Sequence, residues 1–147
     1  MDTLEHLLQT NCHMGEKNMI LKMDVEGAEW EILSCINENI LARFDQIVLE
    51  YHELLAADKE KEKLIFSALS KMNSKHKLIH LHGNNMGTSI RLCVRIFPDA
   101  LEATYVRKGL PSIIWSSSEV SLPLAIDEPN DPHRPDLILG NWNCDWE

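Results

Sequence analysis

The chain has 147 residues, 44% of them hydrophobic, with 14 basic against 23 acidic side chains for a net charge of −9. Such a composition describes one globular domain, or part of a larger one, and argues against disorder and against a nucleic-acid partner. No apolar run approaches the roughly 20 residues of a membrane helix and no signal-peptide core follows Met1, so the chain reads as cytoplasmic, with no membrane partner.

Asp2 can cap a short helix that carries Leu4, Leu7 and Leu8 on one side. Residues 11–17 are polar, contain Gly15 and read as a loop. Residues 19–25 have the length and side chains of a buried parallel strand. The strand runs into the acidic bend Asp24-Val25-Glu26-Gly27 and then into a helix over 30–41, striped by Ile32, Leu33, Ile36, Ile40 and Leu41. A strand that breaks at an acidic turn and enters a helix is the junction of an open α/β sheet. Ligands collect at the carboxyl ends of such strands. Asp24 and Glu26 therefore stand where chemistry is expected, although both also suit the capping of the next helix.

A second strand is expected over 44–52, ending in Tyr51-His52, and a charged helix over 59–73 with Leu64, Ile65, Ala68, Leu69 and Met72 inward. A third strand over 77–82 closes at Gly83-Asn84-Asn85. Residues 86–97 contain alternating Ile90, Leu92, Val94 and Ile96, which suits either an extra short strand or a buried loop. Residues 101–108 form a last strand before a turn at Gly109. The tail, 111–147, holds five of the six prolines and reads as an irregular arm packed on the domain through Trp142 and Trp146, with at most one short strand near 112–115. Cys12, Cys35, Cys93 and Cys144 are widely spaced without a CxxC pair, so free, mostly buried thiols are expected.

The stretch Leu21-Lys22-Met23-Asp24-Val25-Glu26-Gly27-Ala28-Glu29 closely resembles the LK-x-DVEGAE signature of FkbM-type methyltransferases, which are S-adenosylmethionine-dependent enzymes of class I, Rossmann-like architecture. The resemblance continues through residues 47–52, 80–85 and 98–106 and reaches Pro129-Asn130-Asp131-Pro132 and Leu139-Gly140-Asn141-Trp142. It implies that the strands are the fourth to seventh of seven, the seventh antiparallel to its neighbours. Residues 1–110 would then be the C-terminal half of a methyltransferase domain. The family's glycine-rich cofactor turn has no match: no G-x-G occurs in the sequence.

The resemblance implies a methyl transfer from S-adenosylmethionine to a small-molecule or sugar-like hydroxyl. Asp24 and His52 become the candidate catalytic pair, with His52 a base near neutral pH. Asp24 and Glu26 are the candidate cofactor contacts, and His82, Asn84 and Asn85 the candidate acceptor contacts. Each has a plainer reading, as a helix cap, a hydrogen-bonded strand end or a turn residue. His80 and His82 share a strand face and, with His52 and Asp24, permit a divalent-ion reading that no tight ligand spacing supports, so no metal is assigned. Residues 51–55 do not spell HExxH, and Ser116-Ser117-Ser118 has no nucleophile elbow around it. A nicotinamide enzyme would lack its glycine fingerprint. The competing expectation is a non-catalytic remnant serving as an interaction module. A missing neighbour beside the first strand would leave an open sheet edge and favour self-association.

Overall fold

The computed structural model describes residues 3–55, 58–115 and 119–143. Its elements are α1 (Leu4–Thr10), β1 (Met19–Met23), α2 (Glu29–Cys35), α3 (Glu38–Leu41), β2 (Phe44–Tyr51), α4 (Lys59–Lys75), β3 (His76–Gly83), β4 (Ser89–Leu92), β5 (Arg95–Pro98), β6 (Leu101–Arg107), β7 (Glu119–Leu122) and β8 (Gly140–Asn143). The architecture is mixed α/β. A four-stranded sheet has the order β1-β2-β6-β3, in which β1 and β2 are parallel and β6 runs antiparallel to both of its neighbours.

The two-residue period of the strands separates the sheet into unlike faces. The register aligns Met23 with Leu49, and Leu49 and Tyr51 with Ala103 and Leu101, on one face. That face receives Trp30 and Leu33 of α2, Ile40 and Leu41 of α3, and Ala68 and Met72 of α4, all buried in one cluster. Trp30 stacks on Tyr51 with ring centroids 4.6 Å apart and planes 12° from parallel. The opposite face carries a polar row in which Glu50 lies across from Glu102 and Glu102 across from His82.

Several local expectations are corrected. The helix expected over 30–41 is two helices, because Ile36 takes an extended conformation and Asn37 caps a new start by accepting from the Asn39 amide. Thr3 caps α1 by accepting from His6 N, and Asp2 lies outside the described residues. Residues 86–97 are neither a single strand nor a buried loop but supply a hairpin, β4 and β5, whose side chains are mostly exposed.

The arm's strands are β7 and β8, paired with each other, whereas 112–115 contains a turn in which Ile113 N donates to Leu110 O. Trp142 packs on the core, while Trp146 and Ser116-Ser117-Ser118 lie outside the described residues. Cys12, Cys35 and Cys93 are free but exposed, not buried, and Cys144 is not among the described residues.

β1 is not buried on both faces as a central parallel strand would be: Met23 is buried but Ile20 is 68% exposed. No strand pairs with its outer edge among the described residues. No helix among them is long and apolar enough to cross a membrane.

Candidate functional site

The chain enters the site at the end of β1, where Asp24 follows the last paired residue, Met23. The bend then needs left-handed backbone, with φ 52° at Glu26 and 99° at Gly27, and only glycine takes the second value without strain. A Cβ at Gly27 would also stand 3.1 Å from the Glu53 carboxylate. The bend turns Glu29 back into the protein, where it is 0% exposed.

A carboxylate removed from water needs hydrogen-bond donors on both oxygens. Glu29 Oε2 accepts from Gly27 N at 2.9 Å and Oε1 from His52 N at 2.6 Å. Oε1 also lies 3.3 Å from His52 Nδ1. Glu29 thus ties the bend after β1 to the end of β2. Trp30 makes the same junction, its Nε1 donating to His52 O at 2.8 Å.

With Nδ1 facing Glu29, the other ring nitrogen of His52 faces outward into a group of acids. His52 Nε2 is 3.9 Å from Asp24 Oδ1, 3.6 Å from Glu26 Oε2 and 3.5 Å from Glu50 Oε1. Its side chain is mostly buried, whereas Glu26 is exposed and Asp24 partly so, so the constellation opens to solvent on the Asp24–Glu26 side. Asn84 joins from the end of β3, donating from Nδ2 to Glu50 Oε1 at 2.6 Å while its Oδ1 accepts from Met86 N. Asp99 anchors the chain just after His52, accepting from Leu54 N with its carbonyl and from Leu55 N with its side chain.

The fold therefore brings Asp24, Glu26 and His52 together, with Asn84 linked through Glu50. It sets His82 and Asn85 to different tasks. His82 is buried between Glu102 Oε2, 3.4 Å from Nδ1, and the arm's Asp136, 3.1 Å from Nε2. Asn85 is buried as well. Its amide donates to the carbonyl of Asp131, and its oxygen accepts from Asp131 N at 2.7 Å, pinning the arm. His80 pairs with Asp127 at 2.9 Å. The divalent-ion grouping of both β3 histidines with His52 and Asp24 is not the one the fold assembles. The ligand atoms that lie within 4.8 Å of one another belong to Asp24, Glu26 and His52. These three could hold one cation, with Glu29 orienting the histidine from behind.

Glu29 and Glu50 were not singled out by sequence reasoning. The signal for Glu50 is its place two residues before His52, which puts both on one side of the strand end. Glu29, in the first turn of a helix, looks like a solvated dipole partner, and only tertiary packing shows otherwise.

Burial alone would lower the His82 pKa, but the hydrogen bonds and charges of Asp136 and Glu102 outweigh it and leave it raised. Burial pushes Tyr51 well up, aided by Tyr105, whose hydroxyl accepts from Tyr51 at 3.1 Å. Neither phenol is a proton acceptor at neutral pH.

Comparison of the chain with models of known families, with curated proteins and with solved structures gives no match.

Proposed function

We propose that the chain contributes the acceptor side of an S-adenosylmethionine-dependent methyltransferase of class I, Rossmann-like type, acting on a hydroxyl of a small or sugar-like molecule in the cytoplasm. The observation that carries this reading is the meeting of Asp24, Glu26 and His52 at the carboxyl ends of two adjacent parallel strands. The antiparallel β6 between β2 and β3 supports it, since the FkbM resemblance implies such a strand as the last of the sheet.

The donor set suits the methionine end of the cofactor. Asp24 and Glu26 are partly or fully open carboxylates, able to accept from its ammonium group. No glycine-rich turn is available in this sequence for the adenosine end. When bound, S-adenosylmethionine supplies an electrophilic methyl group on a sulfonium.

In the tautomer that donates Nδ1–H to Glu29, His52 presents Nε2 toward Asp24 and Glu26 on the open side of the site. His52 Nε2 would accept the hydroxyl proton of the acceptor as that oxygen takes the methyl group the cofactor supplies. Glu29 and the Trp30 hydrogen bond hold the imidazole and its backbone in place, which preserves alignment. Asn84 keeps the Glu50 carboxylate turned toward the same side.

A second reading, a non-catalytic interaction module, is favoured by the absence of G-x-G. Titration calorimetry with S-adenosylmethionine separates the two. The enzyme reading expects saturable binding that Asp24→Asn weakens by about tenfold or more, the usual value of one charge-assisted hydrogen bond. An absence of binding, together with no methyl transfer to any hydroxyl acceptor tried, would leave the module.

A further inference from the structure

The β4–β5 hairpin rises between Asn85 and Asp99, and its stem is closed by Asp99 N donating to Thr88 O. Its strands are short and its tip is the two-residue turn Cys93-Val94, with Cys93 at φ 54°. Along it Ile90, Leu92, Val94 and Phe97 are all exposed, Val94 by 89%, and Met86 adds a further exposed apolar side chain at its base.

The charge of this segment is opposite to that of the chain. Residues 83–98 contain Arg91 and Arg95 and no acidic residue, although the protein as a whole carries −9. The other three arginines are engaged: Arg107 with Asp45, Arg134 with Asp131, and Arg43 with the carbonyls of Met14 and Glu16. Arg91 and Arg95 make no ion pair among the described residues.

The exposed apolar side chains of the strands, Ile90, Leu92 and Phe97, share one face, but the two arginines do not. Register pairs Ile90 with Phe97 and Leu92 with Arg95, while Arg91 pairs with Ile96 on the other side. Arg91 and Arg95 lie on opposite faces, and a flat protein surface could pair with only one of them. A lipid headgroup layer surrounds an inserted hairpin, satisfying apolar tip residues in the upper acyl region and arginines among the phosphates.

We propose that the β4–β5 hairpin is a peripheral docking element for an anionic lipid surface, with Leu92 and Val94 inserted and Arg91 and Arg95 paired to headgroup phosphates. Open hairpin edges carry unsatisfied backbone groups, so insertion stops at the interfacial layer and does not become a span. The expectation of no membrane partner came from run lengths that bear on spanning helices, and a short hairpin escapes it. The inference stands independently of methyl transfer. If the site works as proposed, docking also brings Leu54 and Leu55, anchored on Asp99, and the adjoining His52 site toward the lipid–water boundary.

The test is co-sedimentation of the full chain with phosphatidylcholine vesicles that carry or lack phosphatidylserine, at low and high salt. Binding is expected only with phosphatidylserine and is expected to fall as salt rises. Arg91→Glu combined with Arg95→Glu should weaken it by about thirtyfold or more, taking about 1 kcal/mol per basic residue. Val94→Asp should weaken it by about tenfold or more while leaving the far-ultraviolet circular dichroism and the melting temperature unchanged, since the Val94 side chain is almost wholly exposed. A polarity-sensitive fluorophore on Cys93, with the other cysteines changed to serine, should shift to the blue on vesicle addition. No binding to phosphatidylserine vesicles overturns the proposal. Binding that survives Val94→Asp without a fluorophore shift overturns insertion, and binding that survives the double charge reversal overturns headgroup recognition.

Discussion

Glu29 holds the candidate site together, because one buried carboxylate receives the amides of both Gly27 and His52. Without it the bend after β1 and the end of β2 are left with the Trp30 hydrogen bond and the longer, more exposed contacts of His52 with Asp24 and Glu26. Glu29→Gln keeps the size but must point its NH2 group at one of those amide donors. Leaving a buried donor unpaired costs about 1–3 kcal/mol. Urea unfolding should show a loss of that order, and His52 should lose its proton-acceptor geometry in proportion. An unchanged midpoint would mean that water or a rotated side chain replaces the carboxylate. Asp24→Asn and Glu26→Gln, by contrast, should leave stability within about 0.5 kcal/mol, because exposed carboxylates have solvent as an equal partner.

At the scale of elements, the arm meets the sheet at Gly83. A Cβ there would lie 3.1 Å from Leu137 Cβ and 3.2 Å from Leu137 Cδ1. Gly83→Ala should therefore push the arm off β3, costing about 1–3 kcal/mol as overpacking does. Limited proteolysis should cut residues 123–138 faster in the variant, while the melting of the sheet changes less. The elements that sequence periodicity located well are those whose pattern and partners are local or strongly apolar: β1, β2, α4, β3 and β6 all lie within a few residues of their expected spans. The break between α2 and α3 was not legible, because the apolar stripe of Ile32, Leu33, Ile36 and Ile40 continues through it. Asn37 capping decides the matter instead. β7 and β8 were missed because each is four residues long and pairs only with the other, across the proline-rich loop that separates them. Of the candidate site, Asp24, Glu26, His52 and Asn84 were legible from strand ends. The buried roles of His82 and Asn85 depend on an arm whose path no local pattern announces.

For the molecule as a whole, the arm and the core respond to pH in opposite senses. His82 has a raised folded pKa, so its contribution to arm docking is complete below the ordinary value of 6.5 and is lost as pH rises through the raised one. His76 is buried with Nε2 on the Phe44 carbonyl, and burial pushes its pKa down, so core stability falls as pH drops through that lowered value. Trp142 emission, read against a Trp142→Phe control, should report arm release on the alkaline side, and His82→Asn should flatten that response while the acid loss persists. The other whole-molecule consequence lies at β1. Its outer edge is unpaired among the described residues, and Ile20 on its uncovered face is 68% exposed. Unpaired backbone beside exposed apolar side chains is a template for another strand, and self-association through this edge is the expected response. Sedimentation velocity should show a species that grows with protein concentration. Ile20→Lys places a charge where a second strand would pack, so it should move the distribution toward monomer without altering the melting of a side chain that has little to lose. A wild-type chain that stays monomeric across the same concentrations would mean that residues outside those described here, or the twist of β1 itself, already protect the edge.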